Sequence, residues 1–191
     1  MTAPALVVIG TSLGGLHALQ SVLGGLGATF PWPVAIVQHR SAEDIDDTLA
    51  VILQRHCVLP VREVEDKDPI EPGRVYLGPS DYHLLVEADG FALSTEGRVT
   101  FARPSIDVLF ESAAAVFGRM VVAVVLTGAS SDGAAGVVSV KAAGGRVLVQ
   151  DPLTADSAVM PRAAIATRRV DEILPLATIG SRLNQLVQQR H

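Results

Sequence analysis

The run Val121–Leu126 reads VVAVVL, an aliphatic stretch with no polar alternation. A strand with one face in water alternates polar and apolar side chains, so an unbroken aliphatic run needs cover on both faces. Ala5–Ile9 (ALVVI) and Val34–Val37 (VAIV) have the same character. Segments between such runs carry apolar residues at helical spacing: Leu16, Leu19, Val22 and Leu23 in Gly15–Leu23, and Ile45, Leu49, Ile52 and Leu53 around a helix expected over Asp46–Arg55. Strands alternating with helices imply an α/β fold with a doubly wound, mostly parallel sheet and helices on both faces. The composition agrees, with 49% hydrophobic residues but only 4% aromatic, an interior of Ala, Val, Leu and Ile.

The middle of the chain breaks this rhythm. Pro60–Val64, Val75–Gly78, His83–Val86 and Phe91–Ser94 are short strand-like runs separated by Pro, Gly and Asp. They suggest an antiparallel hairpin insertion near one edge of the sheet, with Asp89-Gly90 as a tight turn. Helical spacing returns over Ser105–Phe117, and a helix is expected from about Asp132 to Ala143, followed by a strand at Arg146–Gln150. Pro161–Ala166 reads as a short helix, Ile173–Leu174 as a short strand and Ala177–Gln189 as a closing helix. No repeat, low-complexity tract or linker divides residues 1–191, so one domain is expected.

Charge and cysteine usage narrow the function classes. A formal net charge of −5 without a Lys/Arg cluster argues against nucleic acid as a partner. The single cysteine, Cys57, allows no internal disulfide and suits a reducing compartment; it reads as a buried apolar thiol. The start MTAPALVVIGTSLGG lacks the basic region of a signal peptide, and no apolar stretch reaches the ~20 residues of a membrane helix. A cytoplasmic protein without membrane insertion is expected. The five histidines show no H-x-x-x-H spacing, so no metal site is expected.

In doubly wound sheets, sites form at the carboxyl ends of strands. Ser12 follows the first strand, His39 the second, and Asp132 the VVAVVL strand across a Gly/Ser loop. A serine hydroxyl needs a base to become nucleophilic, and histidine is the natural one. A carboxylate on the other ring nitrogen fixes the tautomer and stabilises the imidazolium. Ser12 lies in Gly10-Thr11-Ser12-Leu13-Gly14-Gly15, which fits G-x-S-x-G, a sharp strand-to-helix turn. That turn aims backbone N–H groups and the positive end of a helix dipole at the site, where an oxyanion could be held.

Each residue alone has a plainer reading. Ser12 could be a helix cap or part of a phosphate loop, His39 a structural histidine, and Asp132 the cap of its own helix. The conjunction at three strand ends favours catalysis. A nucleotide-binding module is the competing class, although the loop lacks both G-x-G-x-x-G and a P-loop lysine. A catalytically idle signalling relative is another. His83 reads as structural or surface, His17 and His56 as helix residues, and Asp44, Asp46 and Asp47 as acidic residues opening a helix.

Eight ordered blocks resemble the catalytic domain of the chemotaxis receptor methylesterases, the CheB-type protein-glutamate methylesterases. They are VIGTSLGGL (8–16), VQH (37–39), PGRVYLGP (72–79), DYHLLV (81–86), RPSIDVLF (103–110), LTGASSDGAAG (126–136), VQDP (149–152) and MPRAAIA (160–166). The resemblance implies Ser12 as nucleophile, His39 as base and Asp132 as the orienting carboxylate. It implies hydrolysis of glutamate γ-methyl esters on chemoreceptor cytoplasmic helices, with deamidation of some glutamines, and no cofactor. Leu13 stands where the family has threonine, Arg40 and Ser41 where it has Met-Pro, and Ala129 where it has methionine. Leu13, Arg40 and Ala129 therefore flank the chemistry as expected substrate-binding positions, and Arg40 and Arg103 are candidates for positive charge beside the cleft. Typical members carry an N-terminal phosphoacceptor receiver domain. This sequence starts at the first catalytic strand, so it is either a trimmed piece of such a protein or a free-standing domain, and the Met1-Thr2-Ala3 start favours the second.

Overall fold

A computed structural model describes residues 5–41 and 48–189. Its strands are β1 (Leu6–Thr11), β2 (Val34–Gln38), β3 (Val61–Glu63), β4 (Val75–Leu77), β5 (His83–Val86), β6 (Phe91–Ser94), β7 (Val121–Val125), β8 (Arg146–Gln150) and β9 (Glu172–Leu174). Its α-helices are α1 (Gly15–Gly24), α2 (Thr48–Gln54), α3 (Ile106–Phe117), α4 (Ala134–Ala142), α5 (Val159–Ala166) and α6 (Leu176–Gln189). Asp44, Asp46 and Asp47, expected to open the second helix, lie outside the described residues. Among the described residues no helix is long and apolar enough to cross a membrane.

Seven strands form one sheet in the order β3-β4-β2-β1-β7-β8-β9, and every pairing in it is parallel. The aliphatic runs hold its centre, with β1 flanked by β2 and β7. Side chains alternate across a strand, and the two cores follow that period. Val7, Ile9, Val34, Ile36, Val122 and Val124 face α1, α2 and α6. Leu6, Val8, Ala35, Val37, Ala123 and Val125 face α3, α4, α5 and the hairpin. Covering both faces explains why these strands are aliphatic up to their carboxyl ends, where Thr11 and Gln38 appear.

The expectation of hairpins needs one correction. β5 and β6 do form an antiparallel pair, closed by the Glu87 N–H donating to Gly90 O at 2.8 Å. The preceding runs do not: β3 and β4 pair parallel at the sheet edge, Val61 opposite Val75. The connection over 64–74 is too long for a tight turn and carries the chain back to the same end of the sheet. The β5–β6 hairpin packs on the second face, where the Phe91 ring meets that of Tyr76 of β4 at a tilt of 55°, with ring centroids 4.8 Å apart.

The winding reverses beside β1. The chain leaves β1 through α1 on one face and proceeds to β2; it leaves β7 through α4 on the other face and proceeds to β8. Loops leaving the carboxyl ends of β1 and β7 therefore diverge and open a crevice, the usual place for a ligand in such sheets.

Candidate active site at the switch point

Ser12, His39 and Asp132 follow β1, β2 and β7, the three central strands. The Ser12 turn is fastened from three sides. The Ser12 N–H donates to Thr127 O at 3.0 Å, Thr11 Oγ1 donates to Thr127 O at 2.8 Å, and Gln38 Nε2 donates to Ser12 O at 2.8 Å. Thr127 Oγ1 in turn donates to Leu13 O at 2.9 Å. Gly14 closes the turn at φ 80°, in the left-handed region that glycine enters without steric penalty. Helix α1 starts immediately afterwards. Among the described residues the Leu13 and Gly14 N–H groups have no intramolecular acceptor, so both remain available to an oxyanion.

His39 Nε2 lies 2.7 Å from Asp132 Oδ2, within the range for a direct bond. A carboxylate there makes Nε2 the protonated nitrogen and leaves the Nδ1 lone pair as the basic site. Ser12 and His39 line the same open groove, of about 870 Å³, together with Leu13, Leu16, Gln38 and Arg40. No hydrogen bond joins Ser12 Oγ to His39 among the described residues; such bonds commonly tighten only with substrate in place.

Asp132 is fully buried, and it does not cap the helix that follows it. Gly133, at φ 99°, precedes α4 and turns the chain, and the carboxylate reaches across to the start of α3. Oδ2 also accepts from the Ile106 N–H at 2.7 Å, while Oδ1 accepts from Ser105 Oγ at 2.8 Å and the Asp107 N–H at 3.0 Å. Burial opposes the charge, but the bonds from His39, Asp107, Ile106 and Ser105 outweigh it and hold the carboxyl below its ordinary range. The positive end of the α3 dipole acts in the same direction.

Residues outside the three expected catalytic positions support the site. His83 is buried; its Nε2 contacts Gly97 O at 3.0 Å and its Nδ1 accepts the Ser105 N–H at 3.2 Å. Those partners place its proton on Nε2 and make it a strut beneath Ser105, one of the roles expected for it. Asp107, in the first turn of α3, accepts the Gly136 N–H at 2.7 Å. Burial pushes its carboxyl up to about 6; the Gly136 bond opposes that shift and the neighbouring Asp132 charge adds to it. A serine, an apolar residue and an aspartate opening an apolar-periodic segment, as in Ser105-Ile106-Asp107, signal a helix start. Nothing in that pattern shows that a distant carboxylate completes it.

The flanking positions differ in what they offer. Leu13 is 62% exposed on the groove, and exposed Ala129 lines a cleft beside His39. The Arg40 guanidinium is buried, paired with Glu63 and donating to Gly78 O at 3.1 Å, so its charge is largely compensated. Arg103 bonds Asp81 Oδ1 at 2.7 Å and the Thr95 and Glu96 carbonyls. Among the described residues no group of three His, Cys, Asp or Glu side chains is arranged to hold a metal ion.

An all-parallel sheet with an imidazole–carboxylate pair and a serine turn at its switch point is an arrangement that α/β hydrolases use. Comparison with known proteins makes the class specific: the chain belongs to the CheB methylesterase family, whose model matches residues 7–183. A Leptospira interrogans protein named "Putative protein-glutamate methylesterase/protein-glutamine glutaminase" is 45% identical over 95% of this chain and 94% of its own. An Anaeromyxobacter dehalogenans protein-glutamate methylesterase/protein-glutamine glutaminase is 43% identical over 95% of this chain and 53% of its own length. The crystal structure of the Thermotoga maritima CheB methylesterase catalytic domain superposes with a TM-score of 0.93 at 33% identity, covering 97% of this chain and all of that one.

Proposed function

We propose that this protein hydrolyses glutamate γ-methyl esters on the cytoplasmic helices of chemoreceptors, with Ser12 as nucleophile, His39 as general base and Asp132 as the carboxylate that orients it. The observation that carries this reading is the 2.7 Å bond from His39 Nε2 to Asp132 Oδ2, with the Ser12 turn on the same groove. The family membership and the names of the relatives supply the substrate class.

In the forward step Ser12 Oγ attacks the ester carbonyl carbon while His39 Nδ1 takes the hydroxyl proton. The imidazolium keeps its Nε2–H on Asp132, whose depressed basicity holds it as the anion. Charge on the former carbonyl oxygen is met by the Leu13 and Gly14 N–H groups. Collapse of the tetrahedral intermediate expels methoxide, which takes the proton from Nδ1 and leaves as methanol. Water then attacks the acyl-Ser12 ester with the same base and releases glutamate. A glutamine side chain would follow the same path with ammonia as leaving group.

Methanol release from methylated receptor membranes tests the reading directly. The wild-type chain should release methanol and take up a fluorophosphonate label, and Ser12→Ala should abolish both. Equal methanol release by Ser12→Ala would remove Ser12 from the mechanism.

A further inference from the structure

Phe101 is 94% exposed, the most exposed large apolar side chain among the described residues. It sits in a two-residue turn between Val99 and Ala102, whose backbones bond each other at 3.1 and 2.9 Å. Thr100 and Phe101 have φ of 49° and 64°. That left-handed pair is the turn geometry normally filled by Asn-Gly, and β-branched or aromatic residues avoid it. The turn is braced by Arg103, which donates to Asp81 Oδ1, Thr95 O and Glu96 O. The chain thus holds an aromatic ring in water on a backbone that does not favour it.

The place of display is specific. Phe101 lines two clefts that both reach His39. One, of about 400 Å³, runs past Arg40 and Arg98; the other, of about 420 Å³, runs past Ala129 and Ser131. His39 lines both of these clefts and the Ser12 groove, so a segment that lies in the groove and continues past His39 into either cleft runs beside this ring. Arg98 has no ion-pair partner among the described residues and adds positive charge at the same rim.

We propose that Phe101 is a specificity-determining residue, which packs against an apolar side chain of the ester-bearing segment while the ester enters between Ser12 and His39. The proposal rests on the esterase reading above and deepens it. The ring supplies a rigid apolar contact at small entropic cost, because only two side-chain torsions are ordered on binding. The preferred substrate is therefore an acidic segment with an aliphatic residue neighbouring the esterified glutamate, rather than an ester in an all-polar context.

Two synthetic helical peptides test this: one bearing a glutamyl methyl ester flanked by leucines, the other with those leucines replaced by serines. The readout is the ratio of their kcat/KM values. The wild-type chain should prefer the leucine peptide. Phe101→Ala should lower that ratio about tenfold, the scale of one lost apolar contact, chiefly through KM, and Phe101→Leu should restore most of it. A ratio unchanged in Phe101→Ala, whatever happens to the separate rates, overturns the assignment of Phe101 and leaves the esterase reading standing. A wild-type chain inert towards both peptides and towards p-nitrophenyl acetate overturns both.

Discussion

Asp132 and Asp107 exchange helix ends. Asp132 stands just before α4 but accepts N–H bonds from Ile106 and Asp107 at the start of α3, at 2.7 and 3.0 Å. Asp107 stands in the first turn of α3 but accepts the Gly136 N–H of α4 at 2.7 Å. Each helix thus receives its negative cap from the other, which locks the two together beneath His39. The exchange also sets two buried carboxyls side by side, and they resolve the conflict in opposite directions. Asp132, with four donors, stays below the ordinary range, and Asp107 is pushed up to about 6.

That asymmetry gives the first prediction. Asp107 ionises at about 6 when folded, against an ordinary value of 3.8. Between those values the unfolded chain gives up this proton before the folded one does. The Asp107 contribution to stability is therefore full at low pH and declines as pH rises through the window. The interval corresponds to a decline on the order of 3 kcal/mol. Asp107→Asn keeps an oxygen for the Gly136 N–H and carries no charge. Urea denaturation should show the variant gaining on the wild type from pH 4 to pH 7. A wild type that instead gains on the variant over that range would contradict the assignment.

Asp132→Asn should behave in the opposite sense. The depressed carboxyl contributes stability above its unfolded value and loses it as pH falls through its lower folded value. The amide also presents N–H groups to donors that need an acceptor. The variant should therefore be less stable at pH 7, and the gap should narrow in acid. Catalysis should fall by roughly 10³–10⁴-fold, because the imidazole loses its tautomer and its counter-charge. Stopped assays of methanol release, paired with thermal melts on the same preparations, separate the two effects. Near-normal turnover would take Asp132 out of the chemistry.

What could be read from the sequence was whatever the local chain determines. Unbroken aliphatic runs specify central parallel strands, and the ends of those strands specify where Ser12, His39 and Asp132 emerge. β3 and β4 were misplaced because runs as short as Val61–Glu63 and Val75–Leu77 look alike in hairpins and at parallel edges; the direction of pairing is decided by tertiary contacts. The capping of α3 by Asp132 is hidden for a related reason. An acidic residue before a helix signals a cap for that helix, and only the packing of α3 against α4 redirects it. Phe101 was invisible because Thr-Phe carries none of the signs of the turn it adopts.

Ser105 gives a graded test of the same network. It is fully buried, with Oγ 2.8 Å from Asp132 Oδ1 and 3.5 Å from the Val108 N–H that it caps. Ser105→Ala removes one of four donors to Asp132 and one helix cap, a loss of about 1 kcal/mol. Asp132 keeps its bonds from Ile106, Asp107 and His39, so turnover should drop by no more than about tenfold, the scale of one such bond. A loss as large as that of Asp132→Asn would mean that Ser105 takes a direct part in the chemistry.

Gly128 tests how finely the nucleophile is placed. It packs beneath Ser12, and a methyl group there would lie 2.9 Å from Ser12 Cβ and 2.6 Å from Met160 Cε. The two neighbours differ in compliance. The Met160 side chain is flexible at its end and can move aside. Ser12 cannot, because its N–H is tied to Thr127 O at 3.0 Å and its carbonyl to Gln38 Nε2 at 2.8 Å. Gly128→Ala should therefore cost about 1–3 kcal/mol of stability through overpacking. It should also lower kcat by roughly 10²-fold, since a displacement of about 1 Å at a reacting group has that effect. Fluorophosphonate labelling should slow in parallel, while binding of a non-hydrolysable peptide measured by calorimetry should change far less. A variant that labels at the wild-type rate would show that the Ser12 turn yields to the added methyl, and that the fastening by Thr127 and Gln38 does not set the position of the hydroxyl.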